Sequence, residues 1–314
     1  MSIKTLPYRA MLLGCATASK IWPDSIVLAG LAGRSALMLG DEYHAEAFGR
    51  RALQSLCMSP TRLRRLSAIS SRLSAKKKTL PDEVALARSL VDFQDCLTAA
   101  GLKPFLIFGT LLGCIREQGF VPGDTDIDFG ILGDAQLEIA HDAMSRSDRL
   151  QISGRRYWNG GLSQLLLRHE NGCRMDLKAF SVEAGSVAWN SFNDAIILRR
   201  HYPGTIRLRR HMFQGAAVYV PEEAEAFLAW HYGDWRQPDA GYHWLTSGPI
   251  RSEEQRAWMR IGAPLAVLRS ILHGGLKKSL LMARNAGDLF PEDELWRDVA
   301  RALERALADQ DQPR

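Results

Sequence analysis

The chain has 314 residues, of which 46% are hydrophobic and 24% charged, a composition typical of a soluble globular protein with one large or two smaller domains. The formal net charge of +5 and the isoelectric point of about 9.0 are compatible with a phosphate-bearing substrate or an anionic surface. They lack the clustering typical of nucleic-acid-binding proteins, so we expect no nucleic-acid partner.

The five cysteines are odd in number, scattered and not spaced as a metal clip, which predicts free thiols in a reducing compartment and a cytoplasmic location. They are Cys15, Cys57, Cys96, Cys114 and Cys173. One pattern favours another location, because Lys4 and Arg9 precede a short apolar run that resembles an export signal. That run is brief. No apolar run in the sequence approaches the roughly 20 residues that span a bilayer.

Residues 1–80 are predicted to form a helical extension, with two short helices over residues 21–60. A basic amphipathic segment follows at residues 61–78, where seven basic residues accompany apolar residues at near-helical spacing. Such a segment either associates peripherally with an anionic inner membrane or forms a solvated linker helix, and linker helices are the commoner case.

Residues 81–250 alternate between helical and strand patterns, which predicts a domain built from both helices and strands. Its predicted helices are 81–101, a short turn over 109–116, 135–145 and 222–232. Its predicted strands are 105–108, 126–132, 150–157, 162–169, 174–180, 195–198 and 205–220. Asn171-Gly172 between two apolar runs predicts a hairpin.

Residues 251–314 are predicted to form a second helical extension. An aromatic-rich loop over residues 234–249 precedes it and contains Trp235, Tyr242 and Trp244. These rings either stack on a sugar or base or pack against the domain. The sequence therefore divides into residues 1–80, 81–250 and 251–314.

Asp126 and Asp128 lie on a predicted strand and are expected on one face of it, while Ile127 enters the core. Like charges at this spacing repel unless a cation or protons intervene, and carboxylates are the ligands that Mg²⁺ prefers. Asp176, on a neighbouring predicted strand, is the candidate third ligand. The three acids are therefore candidate metal and catalytic residues, with Mg²⁺ (or Mn²⁺) as cofactor.

Several neighbouring residues are candidates for substrate binding. Gly109 and Thr110 follow a strand and open a helix, where an anion would be favoured, although a simple turn with a threonine cap gives the same pattern. Arg116 either binds a phosphate or pairs with an adjacent acid. Asp124 suits an Asx turn at the strand entrance, and Lys178 lies two residues beyond Asp176.

These motifs resemble the signature of the LicD/fukutin branch of the nucleotidyltransferase superfamily. The resemblance rests on Gly109-Thr110-Leu111-Leu112-Gly113, Arg116, Gly119-Phe120-Val121-Pro122 and Asp124-Thr125-Asp126-Ile127-Asp128, and on a closing motif at Val220-Pro221, Leu228 and Tyr232-Gly233-Asp234-Trp235. It covers about residues 81–248. Two departures are visible where the family's Trp-Asp-Asp-Asp is Gly123-Asp124-Thr125-Asp126 in this chain: glycine replaces the tryptophan and Thr125 replaces an aspartate.

The resemblance implies a nucleotidyltransferase-type α/β (α+β) fold with a mixed sheet core flanked by helices. It also implies a transferase that moves a phospho-alcohol, of the phosphocholine, ribitol phosphate or glycerol phosphate type. The donor would be a CDP-alcohol and the acceptor a hydroxyl of a glycan or glycan precursor. It places the family's metal aspartates on Asp126 and Asp128 and its third acid on Asp176.

Two alternatives remain. A true nucleotidyltransferase would transfer a nucleotide from an NTP to a small molecule and release pyrophosphate. A non-catalytic member would bind a glycan or a partner through the aromatic loop.

Overall fold

The computed structural model describes residues 11–15, 26–39, 41–59, 61–63, 65, 82–193, 196–273 and 275–309. The basic segment at 61–78 lies largely outside these residues, as does most of the N-terminal run that resembles an export signal, so both interpretations stay predictions. The chain divides into two compact units. The helical unit contains residues 1–78, 192–196 and 238–314, and the sheet unit contains residues 79–191 and 197–237.

The helical unit is built from both ends of the chain. Its helices are α1 (Ile26–Met38), α2 (Glu42–Cys57), α7 (Glu253–Leu272), α8 (Leu276–Leu289) and α9 (Glu294–Ala308). Side-chain caps begin three of them, since Asp41, Ser252 and Asp293 accept hydrogen bonds from backbone N–H groups of the first turn. The two helical extensions predicted at opposite ends of the sequence thus share one apolar core. The three-part division of the sequence stays a prediction.

The sheet unit follows the predicted alternation of helices and strands. Its helices are α3 (Glu83–Ala99), α4 (Phe108–Leu112), α5 (Ala135–Ser145) and α6 (Ala224–Tyr232), with a π-helical turn at Gly113–Glu117 after α4. Its strands are β1 (Phe105–Leu106), β2 (Asp126–Leu132), β3 (Leu150–Trp158), β4 (Gly161–His169), β5 (Arg174–Glu183), β6 (Ser186–Asn193), β7 (Ile196–Pro203), β8 (Leu208–Phe213) and β9 (Ala216–Pro221). This confirms a mixed α/β fold.

The nine-stranded sheet has the order β3-β4-β5-β2-β1-β9-β8, and β6 pairs with both β5 and β7. Strands β2 and β5 run parallel, as do β1 and β9, whereas β3 with β4 and β4 with β5 are antiparallel. The Asn-Gly hairpin is confirmed between β4 and β5, and Gly172 there has φ of +91°. A left-handed backbone costs little at glycine, which explains the turn.

One face of the sheet is covered by α3 and α5. Ile127 and Phe129 of β2 are fully buried on that face, and Phe129 stacks on Phe93 of α3 with ring centroids 4.3 Å apart. Burying such a side chain contributes roughly 1.5–3 kcal/mol relative to leaving it exposed. Because side chains alternate along a strand, this burial directs Asp126 and Asp128 to the opposite face, as predicted.

The structure differs from the sequence prediction in several places. The stretch predicted as a strand at residues 205–220 forms two strands, β8 and β9. Strand β1 ends at Leu106 rather than Phe108, because Phe108 has φ of +46° and begins α4. Strand β6 was missed. Helix α3 is capped by the Asp82 side chain, which accepts from the N–H of Ala85, rather than beginning at proline.

Candidate active site

The register between β2 and β5 brings two carboxylates side by side. Asp128 is paired directly with Asp176, and Asp126 with Arg174, in this parallel ladder. Adjacent strands lie about 4.8 Å apart, so paired residues project from the same face as close neighbours. The structure therefore brings Asp126, Asp128 and Asp176 together, although only the first two are near in sequence.

The backbone of Asp128 is fixed on both sides. The hydroxyl of Thr110 accepts a hydrogen bond of 2.9 Å from the Asp128 N–H, and the N–H of Ile107 donates to the Asp128 carbonyl. Thr110 is buried, at 1% exposure. The sequence suggested a substrate-binding role for Thr110, and the geometry gives it a positioning role for the carboxylate of Asp128.

Glycine at position 109 gives the carboxylates room beside α4. A Cβ atom there would lie 2.8 Å from Oδ2 of Asp124 and 4.0 Å from Oδ2 of Asp128. Both distances place these acids directly against the Gly109 backbone. Asp124 also accepts a hydrogen bond from the Thr125 N–H, in agreement with a local turn at the strand entrance.

Asp176 is held by a neighbour that sequence reasoning missed. Gln164 of β4 is 2% exposed, and its Nε2 donates a hydrogen bond of 2.8 Å to Oδ2 of Asp176. Gln164 is paired across the ladder with Lys178, which is also buried. Lys178 follows Asp176 on the same face of β5, so the site contains an internal cation beside its carboxylates.

We call Asp124, Asp126, Asp128 and Asp176 the site cluster. Burial and mutual repulsion raise the pKa values of three of these acids. Burial raises the pKa of Asp128 well above its usual value, and the charges of Asp176 and Asp126 raise it further. Burial, with the charge of Asp126, raises the pKa of Asp124 to about 6. Burial also raises the pKa of Asp176, although the charge of Lys178 opposes this.

The site cluster fits a hard divalent cation. Its donors are carboxylate oxygens alone, which suit Mg²⁺ and Mn²⁺, and their mutual repulsion is what a bound cation would relieve. Burial lowers the pKa of Lys178 below its usual value, although the charges of Asp176 and Asp128 oppose this.

Arg116 is engaged within the protein. Its Nε pairs with Glu117 at 2.6 Å, and its Nη1 donates to the carbonyl of Trp235 at 2.8 Å. The side chain is 14% exposed. Of the two sequence interpretations, the pairing with an adjacent acid is the one the structure contains, and Arg116 also ties the π-helical turn to Trp235 of the closing motif.

The conformation of the loop before β2 explains why glycine occupies position 123. Gly123 has φ of +83°, a left-handed conformation in which a larger residue would be strained. Thr125, two residues later, accepts a hydrogen bond of 2.5 Å from Arg174, whose guanidinium also lies 3.7 Å from Asp126.

An aromatic cluster borders the site on the side of α4 and was not anticipated. Phe108 stacks on His231 with ring centroids 4.6 Å apart, and Trp189 lies 6.3 Å from His231. Burial drives the pKa of His231 well below its usual value, and the charges of Arg200 and Lys178 act in the same direction. His231 is therefore neutral and close to the internal cation.

A second group of acids lies on the helix-covered side of the sheet. We call Asp92, His169, Glu170, Arg88 and Arg149 the hairpin cluster. Asp92, His169 and Glu170 could hold a metal ion, since one ligand atom from each lies within 4.8 Å of the others. Two arginines already pair with these acids: Arg149 with Asp92 at 2.6 Å and Arg88 with Glu170 at 2.7 Å.

The hydrogen bonds of the hairpin cluster also leave little ligand capacity. Nδ1 of His169 accepts from the Asn171 N–H at 3.2 Å, and Nε2 of His169 lies 2.9 Å from Asp92. Asn171 in turn donates to the Ala85 carbonyl of α3. The cluster therefore joins the β4–β5 hairpin to α3.

Fold and site together define a mixed-sheet α/β domain with clustered carboxylates on adjacent parallel strands. Residues 101–223 match the family described as LicD/FKTN/FKRP, nucleotidyltransferase domain. The matched stretch lies largely within the sheet unit, which is thus similar to this family, and the match supports transferase-type chemistry.

Three curated proteins are similar to parts of the chain, and all are described as uncharacterized. One from Caenorhabditis elegans is 35% identical over 88 residues, which cover 28% of this chain and 23% of that protein. One from Rickettsia prowazekii is 25% identical over 174 residues, covering 52% and 58%. One from Rickettsia typhi is 35% identical over 66 residues, covering 21% and 20%. The chain thus spans between a fifth and somewhat over half of these relatives.

Within the described ranges, no helix has both the length and the apolar character to cross a membrane. All five cysteines are free thiols, as predicted.

Proposed function

We propose that the sheet unit is a metal-dependent phosphotransferase that moves a phospho-alcohol from a CDP-activated donor to a hydroxyl of a glycan or glycan precursor. The observation that carries the proposal is the direct pairing of Asp128 with Asp176 on parallel strands, with Asp126 on the same face, inside a domain similar to the LicD/fukutin-like family. Asp126, Asp128 and Asp176 would hold Mg²⁺ or Mn²⁺.

The bound cation would neutralise the charge of the donor phosphates and of the leaving group. The residues of the chain account for the remaining requirements. In the transfer, the acceptor oxygen forms a bond to the β-phosphorus of the donor. The bond from that phosphorus to the bridging oxygen breaks, and CMP leaves with the electron pair.

Asp176 is the candidate general base. Its raised pKa is nearer to neutral pH than the pKa of an exposed aspartate. This suits a group that takes the acceptor proton and returns it to water. Gln164 holds one of its oxygens at 2.8 Å and thus fixes the direction of the other. Lys178 lies beside the carboxylates and would attract the donor phosphates, and Gly109 keeps the backbone of α4 clear of them.

The test is product analysis with purified protein, a panel of CDP-alcohols and NTPs, and either Mg²⁺ or Mn²⁺. Metal-dependent release of CMP supports the proposal. Release of pyrophosphate from an NTP would instead indicate a true nucleotidyltransferase. No turnover of any donor, with the metal bound, would indicate a non-catalytic member.

A further inference from the structure

Phe108, the first residue of α4, has a backbone conformation that is unusual for its side chain. Its φ of +46° lies in the left-handed region, which glycine adopts readily and bulky residues rarely adopt. A residue strained in this way persists only where the surrounding structure holds it, and such residues cluster at functional sites. The contacts of Phe108 show what holds it and what its conformation achieves.

The left-handed residue lies between two contacts with the backbone of Asp128. The N–H of Ile107, just before Phe108, donates to the Asp128 carbonyl at 3.2 Å. The hydroxyl of Thr110, two residues after Phe108, accepts from the Asp128 N–H at 2.9 Å. The turn at Phe108, which we call the β1–α4 kink, therefore lets one short segment hold Asp128 through both its N–H and its carbonyl.

The side chain of Phe108 is held by rings from two other elements. It stacks on His231 of α6 with ring centroids 4.6 Å and planes 27° apart, and its centroid lies 6.0 Å from that of Trp189 of β6. His231 is only 5% exposed, and Trp189 is fully buried. Aromatic pairs of this geometry stabilise beyond the area they bury, so these rings can hold Phe108 in its strained conformation.

A second contact attaches the far end of the same segment to the same region. Arg116, in the π-helical turn that follows α4, donates from Nη1 to the carbonyl of Trp235 at 2.8 Å. Trp235 comes directly after the end of α6. Residues 108–117 are therefore attached to α6 and its following residues at both ends, through the Phe108 stack and the Arg116 hydrogen bond.

We infer that Phe108 is a positioning residue for Asp128: stacked on His231, it maintains the β1–α4 kink and thereby the affinity of the site cluster for a divalent cation. Phe108 is not itself a ligand, because its ring carries no donor atom. The inference rests on the proposed function, because it assigns a role toward the cation of that reaction.

Two substitutions that both remove the ring separate the kink from simple packing. At an ordinary helical position, glycine is less favourable than alanine because its backbone loses more freedom on folding. At φ of +46° the order reverses, since glycine adopts this conformation without strain and alanine does not. Phe108→Gly should therefore retain the β1–α4 kink better than Phe108→Ala.

The first experiment measures Mn²⁺ affinity by titration calorimetry for the full chain and its Phe108 variants. We expect Phe108→Tyr, which keeps the ring, to bind Mn²⁺ as the wild type does. Phe108→Ala should bind about three- to tenfold more weakly, because only the fraction of molecules that retains the β1–α4 kink is competent to bind. Phe108→Gly should show a smaller loss than Phe108→Ala.

The second experiment tests the partner ring. His231→Phe keeps an aromatic ring and should keep the wild-type Mn²⁺ affinity, whereas His231→Leu should weaken binding about as much as Phe108→Ala. Because both rings act through one contact, the double variant Phe108→Ala/His231→Leu should bind Mn²⁺ no more weakly than either single variant.

Tyr202→Ala is the matched control. Tyr202 is a partly buried ring that packs on α6 through Phe227 and Trp230, with ring centroids 5.3 and 5.7 Å away, and has no ring contact with Phe108 among the described residues. The substitution should lower the melting temperature and leave the Mn²⁺ affinity unchanged. An equal loss of affinity in this control would show general loosening of α6 and overturn the inference.

The remaining outcomes separate the inference from the proposed function. Wild-type affinity in Phe108→Ala, or binding by Phe108→Gly no tighter than by Phe108→Ala, would overturn the positioning role alone. If the wild-type chain bound no Mn²⁺, the positioning role and the metal-dependent reaction would both be refuted. If Mn²⁺ bound with the expected dependence on Phe108 but no donor released CMP, the proposed function would fail and the positioning role would stand.

Discussion

The sheet unit contains two clusters of acids that differ in how their charges are compensated. In the hairpin cluster, burial would raise the pKa of Asp92, but hydrogen bonds from His169 and Arg149 outweigh it and hold that pKa below its usual value. In the site cluster, burial and mutual repulsion raise the pKa of Asp128, Asp176 and Asp124, and the neighbouring cation Lys178 does not cancel this.

The difference separates acids that stabilise the fold from acids that cost stability. The hairpin cluster is neutralised by arginines and joins secondary-structure elements, whereas the site cluster is left with excess negative charge on adjacent strands. The closeness of the carboxylates is therefore common to both clusters. What distinguishes the hairpin cluster from the site cluster is the arrangement of the neighbouring cations. Four measurements test this difference between the two clusters.

The largest effect is expected for Asp128→Asn. Loss of a charge that stabilises the transition state should lower kcat by a factor on the order of 10³. Because ionised Asp128 is repelled by its neighbours, the melting temperature without cation should stay constant or rise. Steady-state CMP release and thermal unfolding measure the two quantities. A variant with near-wild-type kcat would contradict the assignment of the site cluster.

The second measurement concerns pH and Mn²⁺. The folded protein binds the Asp124 proton more tightly than the unfolded chain, so the stability present at low pH is lost as pH rises through about 6. At neutral pH, Mn²⁺ at a hundred times its Kd should restore about 2.7 kcal/mol. Calorimetry with and without Mn²⁺ measures both.

Asp128→Asn is the control for the Mn²⁺ measurement, and it should abolish most of the stabilisation. If Asp92→Asn abolished it instead, the cation would bind at the hairpin cluster and the comparison of the two clusters would be reversed.

The third measurement is the stability of Asp92→Asn itself. The substitution removes a charge that accepts hydrogen bonds from Arg149 and His169, and we expect a loss of about 1.5–3 kcal/mol in the free energy of unfolding. Urea denaturation measures this loss. Activity per folded molecule should be unchanged, and a large drop in kcat would show that the hairpin cluster takes part in the reaction.

The smallest effect is expected for Gly109→Ala. The new Cβ would lie 2.8 Å from Oδ2 of Asp124, so this carboxylate must rotate, at a cost of about 1 kcal/mol. We expect the affinity for Mn²⁺ to fall several-fold, as titration calorimetry would show. Gly101→Ala is not a suitable control, because Gly101 has φ of +76°. Gly161→Ala, with its nearest contact at 3.6 Å, is suitable.

Local patterns in the sequence predict much of this fold. The alternation around Asp126 and Asp128 predicts which side chains leave the core, and the Asn-Gly turn predicts the hairpin that brings Asp176 to a neighbouring strand. Both signals are short-range, since they depend on strand periodicity and turn chemistry.

The parts that sequence reasoning missed depend on pairing between distant strands. Gln164 contacts Asp176 only because of the β4–β5 register, and His231 meets Phe108 across more than a hundred residues. Strand β6, which carries Trp189, contains Ser and Asn residues that are not strongly strand-forming. No local pattern singles out these residues.

The assembly of the helical unit from both ends of the chain determines when it can fold. Its first two helices share a core with α7, α8 and α9, which are synthesised about 200 residues later. The sheet unit is nearly contiguous in sequence, and domains fold as units during synthesis. During translation, therefore, the sheet unit can complete its fold first. Helices α1 and α2 can form their shared core only after the C-terminal helices have left the ribosome.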